Sequence, residues 1–285
     1  MPSHRRHRRK KRNVLPALSA ITLLAAGFLY WSNTALQVTR FDPVFSQLPQ
    51  GFSGCRIVVL SDTQSMHFGK EQSRLLQTVA EQNPDYIFFL GDMTDRFREV
   101  PEGYVETLAS GLAAIAPTYY VTGNHEWAVG NVPALKNRLT ELGVTVLSNR
   151  YVTLERNGDT MILAGIDDPN GYADQKTPEE LTAGLYAAEG DPFWMLLAHR
   201  NDRFADQYSL LGADLVLSGH AHGGIVRLPF TDGLFDHGGL FPSYTAGFYE
   251  ENSSVLFATR GLGSSIPAYR LFNRPEVAVL TLHAE

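Results

Sequence analysis

Cysteine is nearly absent from this chain, whose 285 residues include only Cys55. A single cysteine excludes an intramolecular disulfide, a metal site built from thiolates and the lipidated start of a lipoprotein. Cys55 stands beside the first predicted core strand, so we expect a small buried side chain rather than a reactive thiol. Cysteine content therefore gives no information about the cellular compartment.

Acidic residues are missing from the start of the chain, where basic residues are concentrated. Seven of the 24 lysines and arginines lie between Arg5 and Arg12, and the first carboxylate is Asp42. The remaining 17 basic residues face all 30 acidic ones. Because an acidic body repels the phosphates of nucleic acids, we expect no nucleic-acid partner.

Charge of either sign is absent from the eighteen residues between Val14 and Trp31. This length is at the short end of what crosses a bilayer as a helix. The preceding basic cluster, with Tyr30 and Trp31 at the far end, predicts a cytoplasmic N-terminus and a main domain outside the cytoplasm. We therefore expect an uncleaved, single-pass anchor in the cell membrane. A cleaved secretory signal is the main alternative, and a twin-arginine export signal is a lesser one.

The rest of the chain is long enough for one large domain. With 44% hydrophobic residues it can bury a sizeable core. The predicted segments are a basic cytoplasmic leader (1–13), a transmembrane anchor (14–31), a tether (32–54) and the main domain (55–285). The sequence shows no internal repeat and no evident need for an obligate protein partner.

Apolar runs alternate with helical patterns in the main domain, which predicts an α/β fold. The predicted helices are Gln72 to Asn83, Glu102 to Ala116, Val132 to Leu142 and Thr177 to Ala188. Strands without intervening helices indicate a second sheet. They are predicted at Val152 to Leu154, Met161 to Ala164, Ser254 to Ala258 and Val277 to Leu282.

Five apolar runs of the main domain end in residues that bind metals. Such runs are typical of buried strands, and open α/β sheets carry their chemistry beyond the carboxyl ends of the strands. The residues concerned are Asp62, Asp92, Asn124, His125, His199, His220 and His222. Carboxylate oxygens mixed with imidazole nitrogens suit Mn, Fe, Zn or Co rather than Ca. Seven groups exceed the need of one ion, so we expect two divalent metals.

The order and spacing of these motifs resemble the calcineurin-like metallophosphoesterase superfamily. The resemblance is carried by Asp62, Gly-Asp-Met-Thr-Asp (Gly91 to Asp95), Gly-Asn-His-Glu (Gly123 to Glu126), His199 and Gly-His-Ala-His-Gly-Gly (Gly219 to Gly224). It extends from about Arg56 to the C-terminus. It implies two packed mixed β-sheets flanked by helices, and hydrolysis of a phosphoester at a pair of metal ions.

Three further segments resemble a membrane-anchored bacterial branch of this superfamily. They are Phe68 to Lys70, Gly165 to Pro169 and Asn273 to Glu276. Proteins similar to this branch include UDP-diacylglucosamine pyrophosphohydrolases. By analogy, the substrate is expected to be a phosphorylated small molecule, a lipid or a cell-envelope intermediate.

The resemblance also implies how the ligands divide between the two metals. Asp92, as the bridging carboxylate, would bind both ions. The first metal site would add Asp62 and His222, and the second would add Asn124, His199 and His220. Asn124 offers a neutral amide oxygen, which limits the negative charge at the centre.

His125 adjoins a ligand but resembles the histidine of the family that binds no metal. The resemblance implies that it protonates the leaving oxygen, since an imidazole can give up a proton near neutral pH. A histidine on a loop is otherwise more often a surface residue. Asp95 and Glu126 are expected to orient ligands and loops.

The first motif departs from the family, which usually has Asp-x-His where this chain has Asp62, Thr63 and Gln64. Gln64 would offer a carbonyl oxygen to the first metal, bond to a metal-bound water, or leave that site weak. His67 is an alternative ligand, although an ordinary loop histidine is the more common case. An amide oxygen suits Mn better than Zn or Fe, so Mn is the expected metal.

Three arginines are candidates for contact with the phosphate group of the substrate. They are Arg200, Arg227 and Arg260. For each of them, surface exposure or pairing inside the domain is the competing interpretation.

The sequence as a whole predicts a membrane-anchored binuclear phosphoesterase for a phosphomonoester, phosphodiester or pyrophosphate. A catalytically weak metal- or phosphate-binding pseudoenzyme in an envelope assembly is the alternative, motivated by Gln64. Activity that depends on Mn and disappears on chelation separates the two. Nucleic-acid processing is disfavoured by the acidic body and the predicted anchor.

Overall fold

The structure is a computed structural model that describes residues 14–171, 175–228, 232–236, 239–265 and 269–285. The predicted basic leader (1–13) lies outside the described residues. The helices of the described part are α1 (Val14–Thr34), α2 (Ser73–Ala80), α3 (Tyr104–Ile115), α4 (Asn124–Val129), α5 (Val132–Glu141) and α6 (Pro178–Glu189). Helices α2, α3, α5 and α6 agree with the four predicted helices to within a few residues at each end.

Strands make up most of the remaining regular structure in these ranges. They are β1 (Gln37–Phe41), β2 (Val44–Phe45), β3 (Arg56–Leu60), β4 (Tyr86–Phe89), β5 (Thr118–Tyr120), β6 (Thr145–Val146), β7 (Arg150–Arg156), β8 (Asp159–Gly165), β9 (Trp194–Arg200), β10 (Leu215–Gly219), β11 (Phe235–Asp236), β12 (Gly239–Leu240), β13 (Gly247–Glu251), β14 (Ser254–Ala258), β15 (Glu276–Thr281) and β16 (His283–Ala284).

Twelve of these strands form two six-stranded sheets, with orders β1-β15-β3-β4-β5-β6 and β13-β14-β10-β9-β8-β7, while β11 pairs with β12 and β16 with β2. In the first sheet β3 to β6 run parallel, and in the second β8, β9, β10 and β14 run parallel. Antiparallel pairs, such as β7 with β8, make both sheets mixed. The predicted α/β fold with two mixed sheets is confirmed.

Strand β15 corrects one prediction. The apolar run Val277 to Leu282 was expected in the second sheet, but β15 lies in the first, between β1 and antiparallel β3. The residues of β15 from Glu276 to Leu280 are all buried, which suits the interior of either sheet, and the pairing with β1 and β3 places the strand in the first. A strand buried on both faces belongs inside a sheet that is covered on both sides.

Successive side chains of the central strands enter different layers of the core, as the twofold period of a strand requires. Ile57 and Val59 of β3 belong to the cluster between the sheets, together with Leu217 of β10. Val58 and Leu60 belong to the cluster under helices α2, α3 and α5. A third cluster covers the outer face of the second sheet beneath α6.

The region expected to be a tether (32–54) is largely part of the domain. Strand β1 pairs with β15 along five residues, and the side chains of Leu48 and Phe52 are buried in the core between the sheets. Apolar side chains spaced among the polar ones therefore hold this segment against the body.

Helix α1 covers the predicted anchor and extends it by three residues. Among the helices of the described residues, none has the length and apolar character that crossing a bilayer requires. The crossing predicted for 14–31 is therefore not confirmed.

Packing between the sheets yields a stability prediction at Leu217, which is fully buried. Leu217→Ala should lower the free energy of unfolding by about 2–5 kcal/mol, because it removes apolar contacts and leaves a cavity. The measurement is denaturant unfolding of the parent and the variant. Leu210→Ala is the matched control, because Leu210 is 66% exposed. Equal losses in the two variants would contradict this account of the core.

Candidate metal centre and active site

Strands from both sheets deliver polar side chains to one edge of the sandwich. His199 lies within β9, and the other residues follow the carboxyl ends of their strands. The residues that follow β3, β4, β5 and β10 are Asp62, Asp92, Asn124, His125, His220 and His222. Because their strands run parallel within each sheet, these side chains meet at the same edge.

Four groups converge where the second metal site is expected. His199 Nε2 lies 3.4 Å from Asp92 Oδ2, 3.2 Å from Asn124 Oδ1 and 3.2 Å from His220 Nδ1. Ligands held about 2.0–2.1 Å from one ion lie about 3.0–3.4 Å from one another. The four atoms thus have the spacing of a coordination shell, and candidate ligand atoms of Asp92, His199 and His220 all lie within 4.8 Å of one another.

The first metal site is marked by buried oxygen atoms that lack hydrogen bonds. His222 Nε2 lies 3.7 Å from Asp62 Oδ1, and Gln64 Nε2 donates to Asp92 Oδ2 at 3.0 Å. Asp62 Oδ1 and Gln64 Oε1 are buried without a hydrogen-bond partner among the described residues. Such oxygens cost free energy unless a cation or donor meets them. The residues present fit a second cation here.

The electrostatics of the centre also favour cations. Burial alone would lower the pKa of His199, but the charges of Asp92 and Asp62 outweigh burial and raise it to about 10. The same negative potential that retains a proton on this imidazole attracts a divalent ion in its place.

The ligand loops have strained backbones. Asp62, Asp92, His220 and His222 have φ values of 55°, 50°, 68° and 50°, in the left-handed region that side chains other than glycine rarely adopt. Strain of this kind clusters at functional sites, where the surrounding structure enforces it. Gly219 permits the close approach of the loops, because a Cβ there would lie 2.0 Å from Ser61 Oγ.

Glu126 ties together the loops that carry Asp92 and Asn124. Its fully buried carboxylate accepts hydrogen bonds from the backbone N–H groups of Asp92 (2.9 Å), Thr94 (3.0 Å) and Gly123 (2.8 Å). Burial and the nearby charge of Asp92 raise the pKa of Glu126 to about 7, against the lowering effect of the bonds from Thr94 and Gly123. Through these hydrogen bonds Glu126 could orient the loops that carry the ligands, as the sequence predicts.

His125 lies at the rim of the cluster and pairs with Asp95. Its Nδ1 is 3.1 Å from Asp95 Oδ1, and its Nε2 is 3.9 Å from Asp92 Oδ2. Burial lowers the pKa of His125, but the bond to Asp95 and the charge of Asp92 raise it overall. Asp95 also accepts from the Phe97 backbone N–H, at 3.0 Å. The imidazole is thus held by one nitrogen, with the other towards the metal ligands.

The two candidates for the missing ligand lie in different places. Gln64 is fully buried beside Asp92. His67 is exposed, and its ring meets the Tyr104 ring edge to face at 5.4 Å. The structure therefore brings Gln64, and not His67, to the first metal site.

This placement makes the substitution Gln64→His informative. We expect Gln64→His to bind the first metal more tightly and to extend activity to Zn or Co, because imidazole is the better donor for those ions. His67→Ala should change metal affinity little. Metal titration of both variants beside the parent tests this. Unchanged affinity in Gln64→His together with metal loss in His67→Ala would transfer the ligand role to His67.

The three arginines considered for phosphate contact are already engaged within the domain. All three are partly buried side chains. Their partners are Asp168 for Arg200 (2.7 Å), the Gly223 carbonyl for Arg227 (3.0 Å) and Glu276 for Arg260 (2.9 Å). These contacts correspond to the competing interpretation, pairing inside the domain.

Two residues near the first metal site escaped the sequence analysis as site residues. Arg270 is buried and donates to the carbonyl oxygen of Gly263, and Asn273 Nδ2 donates to the carbonyl oxygen of His222 at 2.7 Å. The one sequence feature that includes either residue is the segment Asn273 to Glu276, whose resemblance to a bacterial branch of the family assigns no role to Asn273.

Comparison with known proteins agrees with the geometry. The family model described as calcineurin-like phosphoesterase matches residues 55–224. The uncharacterized metallophosphoesterase YkuE of Bacillus subtilis (strain 168) is 31% identical over 282 residues, covering 93% of each chain. Phosphodiesterase YaeI of Escherichia coli (strain K12) is 31% identical over 211 residues, covering 71% of this chain and 72% of its own length.

A vertebrate protein is also similar to this chain. The transmembrane protein with metallophosphoesterase domain of Danio rerio is 28% identical over 289 residues, covering 95% of this chain and 63% of its own length. The family match spans more than half of the chain and includes the strands that deliver the candidate ligands. The chain therefore belongs to the calcineurin-like phosphoesterase family and is a phosphoester hydrolase.

Proposed function

We propose that the protein hydrolyses a phosphodiester with two divalent metal ions, preferably Mn, while attached to the cell membrane. The observation that carries the proposal is the meeting of His199 with Asp92, Asn124 and His220 beside the His125 and Asp95 pair. The candidate metal ligands therefore lie next to His125, a group that can donate a proton.

The chemistry follows from the positions of the side chains. Bound metals would supply an activated water and neutralise charge on the phosphoryl oxygens. Asp92 would hold both ions, since Oδ2 faces His199 of the second site and Gln64 of the first. His125, kept in orientation by Asp95, would deliver a proton to the leaving oxygen.

A phosphodiester is the preferred substrate class because one relative is named a phosphodiesterase. Phosphomonoesters and pyrophosphates share the same reacting centre and are the competing substrates. We propose Mn as the metal because Gln64 brings an amide oxygen, and not an imidazole, to the first site.

Attachment to a membrane is supported by the surface of helix α1. No charged residue occurs between Val14 and Thr34, and Leu23, Leu24 and Tyr30 are more than 70% exposed. Apolar side chains exposed in such number favour contact with lipid. The basic cluster before α1 would remain in the cytoplasm and place the catalytic domain outside.

The test of the reaction uses the purified full chain in detergent, stripped of metal and reloaded with Mn. We expect hydrolysis of bis-p-nitrophenyl phosphate that chelation abolishes and Mn restores. p-Nitrophenyl phosphate and a lipid pyrophosphate are the comparison substrates. Faster turnover of either would change the substrate class. Binding of Mn without turnover of any of the three would favour the pseudoenzyme.

The test of location is membrane fractionation with sequencing of the mature N-terminus. We expect the intact chain to remain in the membrane pellet after a carbonate wash, with its catalytic domain open to protease from outside the cell. Recovery of a soluble protein that begins near residues 34–38 would instead identify a cleaved signal.

A further inference from the structure

A buried arginine beside the first metal site binds backbone carbonyls, and no carboxylate bonds to it within the described residues. Arg270 is 1% exposed. Its Nε donates to Gly263 O at 2.9 Å, and its Nη2 donates to Gly263 O at 2.5 Å and to Arg260 O at 2.7 Å. Burying a guanidinium is costly, so these carbonyls fix its position closely.

Gly263, whose carbonyl oxygen Arg270 holds, bonds to two residues of the first metal site, to the backbone of Asp62 and to the ring of His222. Gly263 N donates to Asp62 O at 2.5 Å, and Gly263 O lies 3.1 Å from His222 Nδ1. Arg270 Nη2, which can only donate, lies 3.3 Å from the same nitrogen, so Nδ1 bonds to Gly263 O when it carries the hydrogen and to Arg270 when it does not. With the hydrogen on Nδ1, directed at the nearer Gly263 O, His222 presents the lone pair of Nε2 towards Asp62, which is the tautomer that metal binding needs.

The backbone of Arg270 is in turn held by the last turn of helix α1. Arg270 N donates to Asn33 Oδ1 at 2.8 Å, and Asn33 Nδ2 donates to Arg270 O at 3.0 Å. These two bonds join residues 237 positions apart in sequence. One asparagine side chain thus satisfies both backbone groups of the buried arginine.

Neighbouring contacts hold the same two segments together. The Phe28 and Phe272 rings lie 5.3 Å apart, and the Arg274 guanidinium lies 4.7 Å from the centre of the Trp31 ring. Arg274 Nε also donates to Ala35 O at 3.0 Å. The end of α1 is therefore docked on the segment 270–276, which includes the motif Asn273 to Glu276.

The second metal site is oriented by different groups. His199 Nδ1 is bonded to the Leu90 carbonyl at 2.6 Å, and its Nε2 faces the other ligands. Leu90 follows β4, and within the described part of the chain neither Arg270 nor Asn33 is hydrogen-bonded to it. Disturbing the end of α1 should thus affect one metal site and spare the other.

We propose that Asn33 and Arg270 are positioning residues, through which docking of the end of helix α1 sets the affinity of the first metal site. The inference rests on the proposed binuclear function. The link runs from Asn33 to Arg270, then through Gly263 to the ring of His222 and the backbone carbonyl of Asp62. A catalytic domain whose α1 is undocked would hold its first metal weakly.

The test is calorimetric titration of Mn into the metal-stripped full chain in detergent, which separates the two sites by affinity. Asn33→Ala should bind the first metal about five-fold more weakly, because it removes two hydrogen bonds. Arg270→Lys should weaken it by about 10–100-fold, as loss of a group that orients a ligand does. The second site should keep the affinity of the parent in both variants.

Arg74→Ala is the matched control. Arg74 Nη2 donates to Thr34 O at 3.2 Å, next to Asn33, and Arg74 is not bonded to the Gly263 peptide. Its metal affinities should equal those of the parent. If Arg270→Lys fails to fold, the metal affinities of Asn33→Ala and Arg74→Ala are sufficient to test the proposal.

Two results would overturn the inference alone, in a parent that binds two metals. One is an unchanged first site in Asn33→Ala. The other is a loss that is not specific, seen either as an equal loss of affinity in Arg74→Ala or as an equal loss at both sites of Asn33→Ala. A parent that binds no divalent metal would overturn the proposed function and the inference with it.

Discussion

Asp92→Asn is expected to lose both metals and all measurable turnover. Asp92 Oδ2 lies 3.4 Å from His199 Nε2 and accepts from the Gln64 side chain, while Oδ1 accepts from the backbone N–H of His125 at 2.8 Å. Asparagine keeps the shape but removes the charge that two cations share. Metal affinity should fall by more than the factor of about 10–100 that is typical when a residue that only orients a ligand is removed. Metal analysis by mass spectrometry and assays of turnover measure both effects.

Asp214→Asn is a suitable control for the loss of a carboxylate. Asp214 is partly buried, and its Oδ2 accepts from the Trp194 backbone N–H at 2.8 Å, so the substitution changes charge without changing a candidate ligand. Both metals and turnover should remain. Retention of two metals in Asp92→Asn would refute the bridging role.

The position of the site could be predicted from sequence because it depends on local patterns. Short apolar runs predict parallel strands, and parallel strands place whatever follows their carboxyl ends at one edge. Asp62, Asp92 and His220 each follow such a run; candidate ligand atoms of Asp92 and His220 lie within 4.8 Å of one another, and the backbone N–H of His220 donates to Asp62 Oδ2 at 3.1 Å. Periodicity likewise predicted α2, α3, α5 and α6, since a helix with one buried face has a recognisable spacing.

Long-range pairing could not be predicted in this way. The apolar run of β15 is compatible with either sheet, and only its pairing with β1 and β3 decides between them. The bonds of Asn33 to Arg270 depend on the last turn of helix α1 meeting the segment 270–276 in space. No periodic pattern in the sequence predicts such a contact. A buried arginine is also hard to predict, because arginine side chains usually lie at the protein surface.

The choice between Gln64 and His67 shows a further limit. Donor chemistry alone would favour the imidazole, yet Gln64 follows the strand that carries Asp62 closely enough to stay inside the site. His67 lies beyond the turn and packs against Tyr104 at the surface. Distance along the chain from the strand end therefore accounts for which of the two side chains lies beside Asp92.

His125→Ala should keep both metals and lose mainly turnover. Its Nδ1 is held by Asp95 at 3.1 Å, and its Nε2 lies 3.9 Å from Asp92 Oδ2, too far for a direct bond. Loss of a general acid lowers kcat by about 10²–10⁴-fold. The fall should be largest for an alkyl phosphodiester, whose leaving oxygen needs a proton, and smaller for a p-nitrophenyl ester, whose leaving group departs readily without one.

The measurement is kcat for the two kinds of ester, made on samples whose metal content has been determined. Asp95→Asn is the companion variant. It keeps the imidazole but weakens the bond that orients it, so kcat should fall by less than in His125→Ala, with the same preference for the good leaving group. Undiminished turnover of the alkyl ester by metal-loaded His125→Ala would remove the acid role. An equal fall for both esters would instead assign His125 to stabilising the phosphoryl group, because proton delivery to the leaving oxygen must depend on how basic that oxygen is.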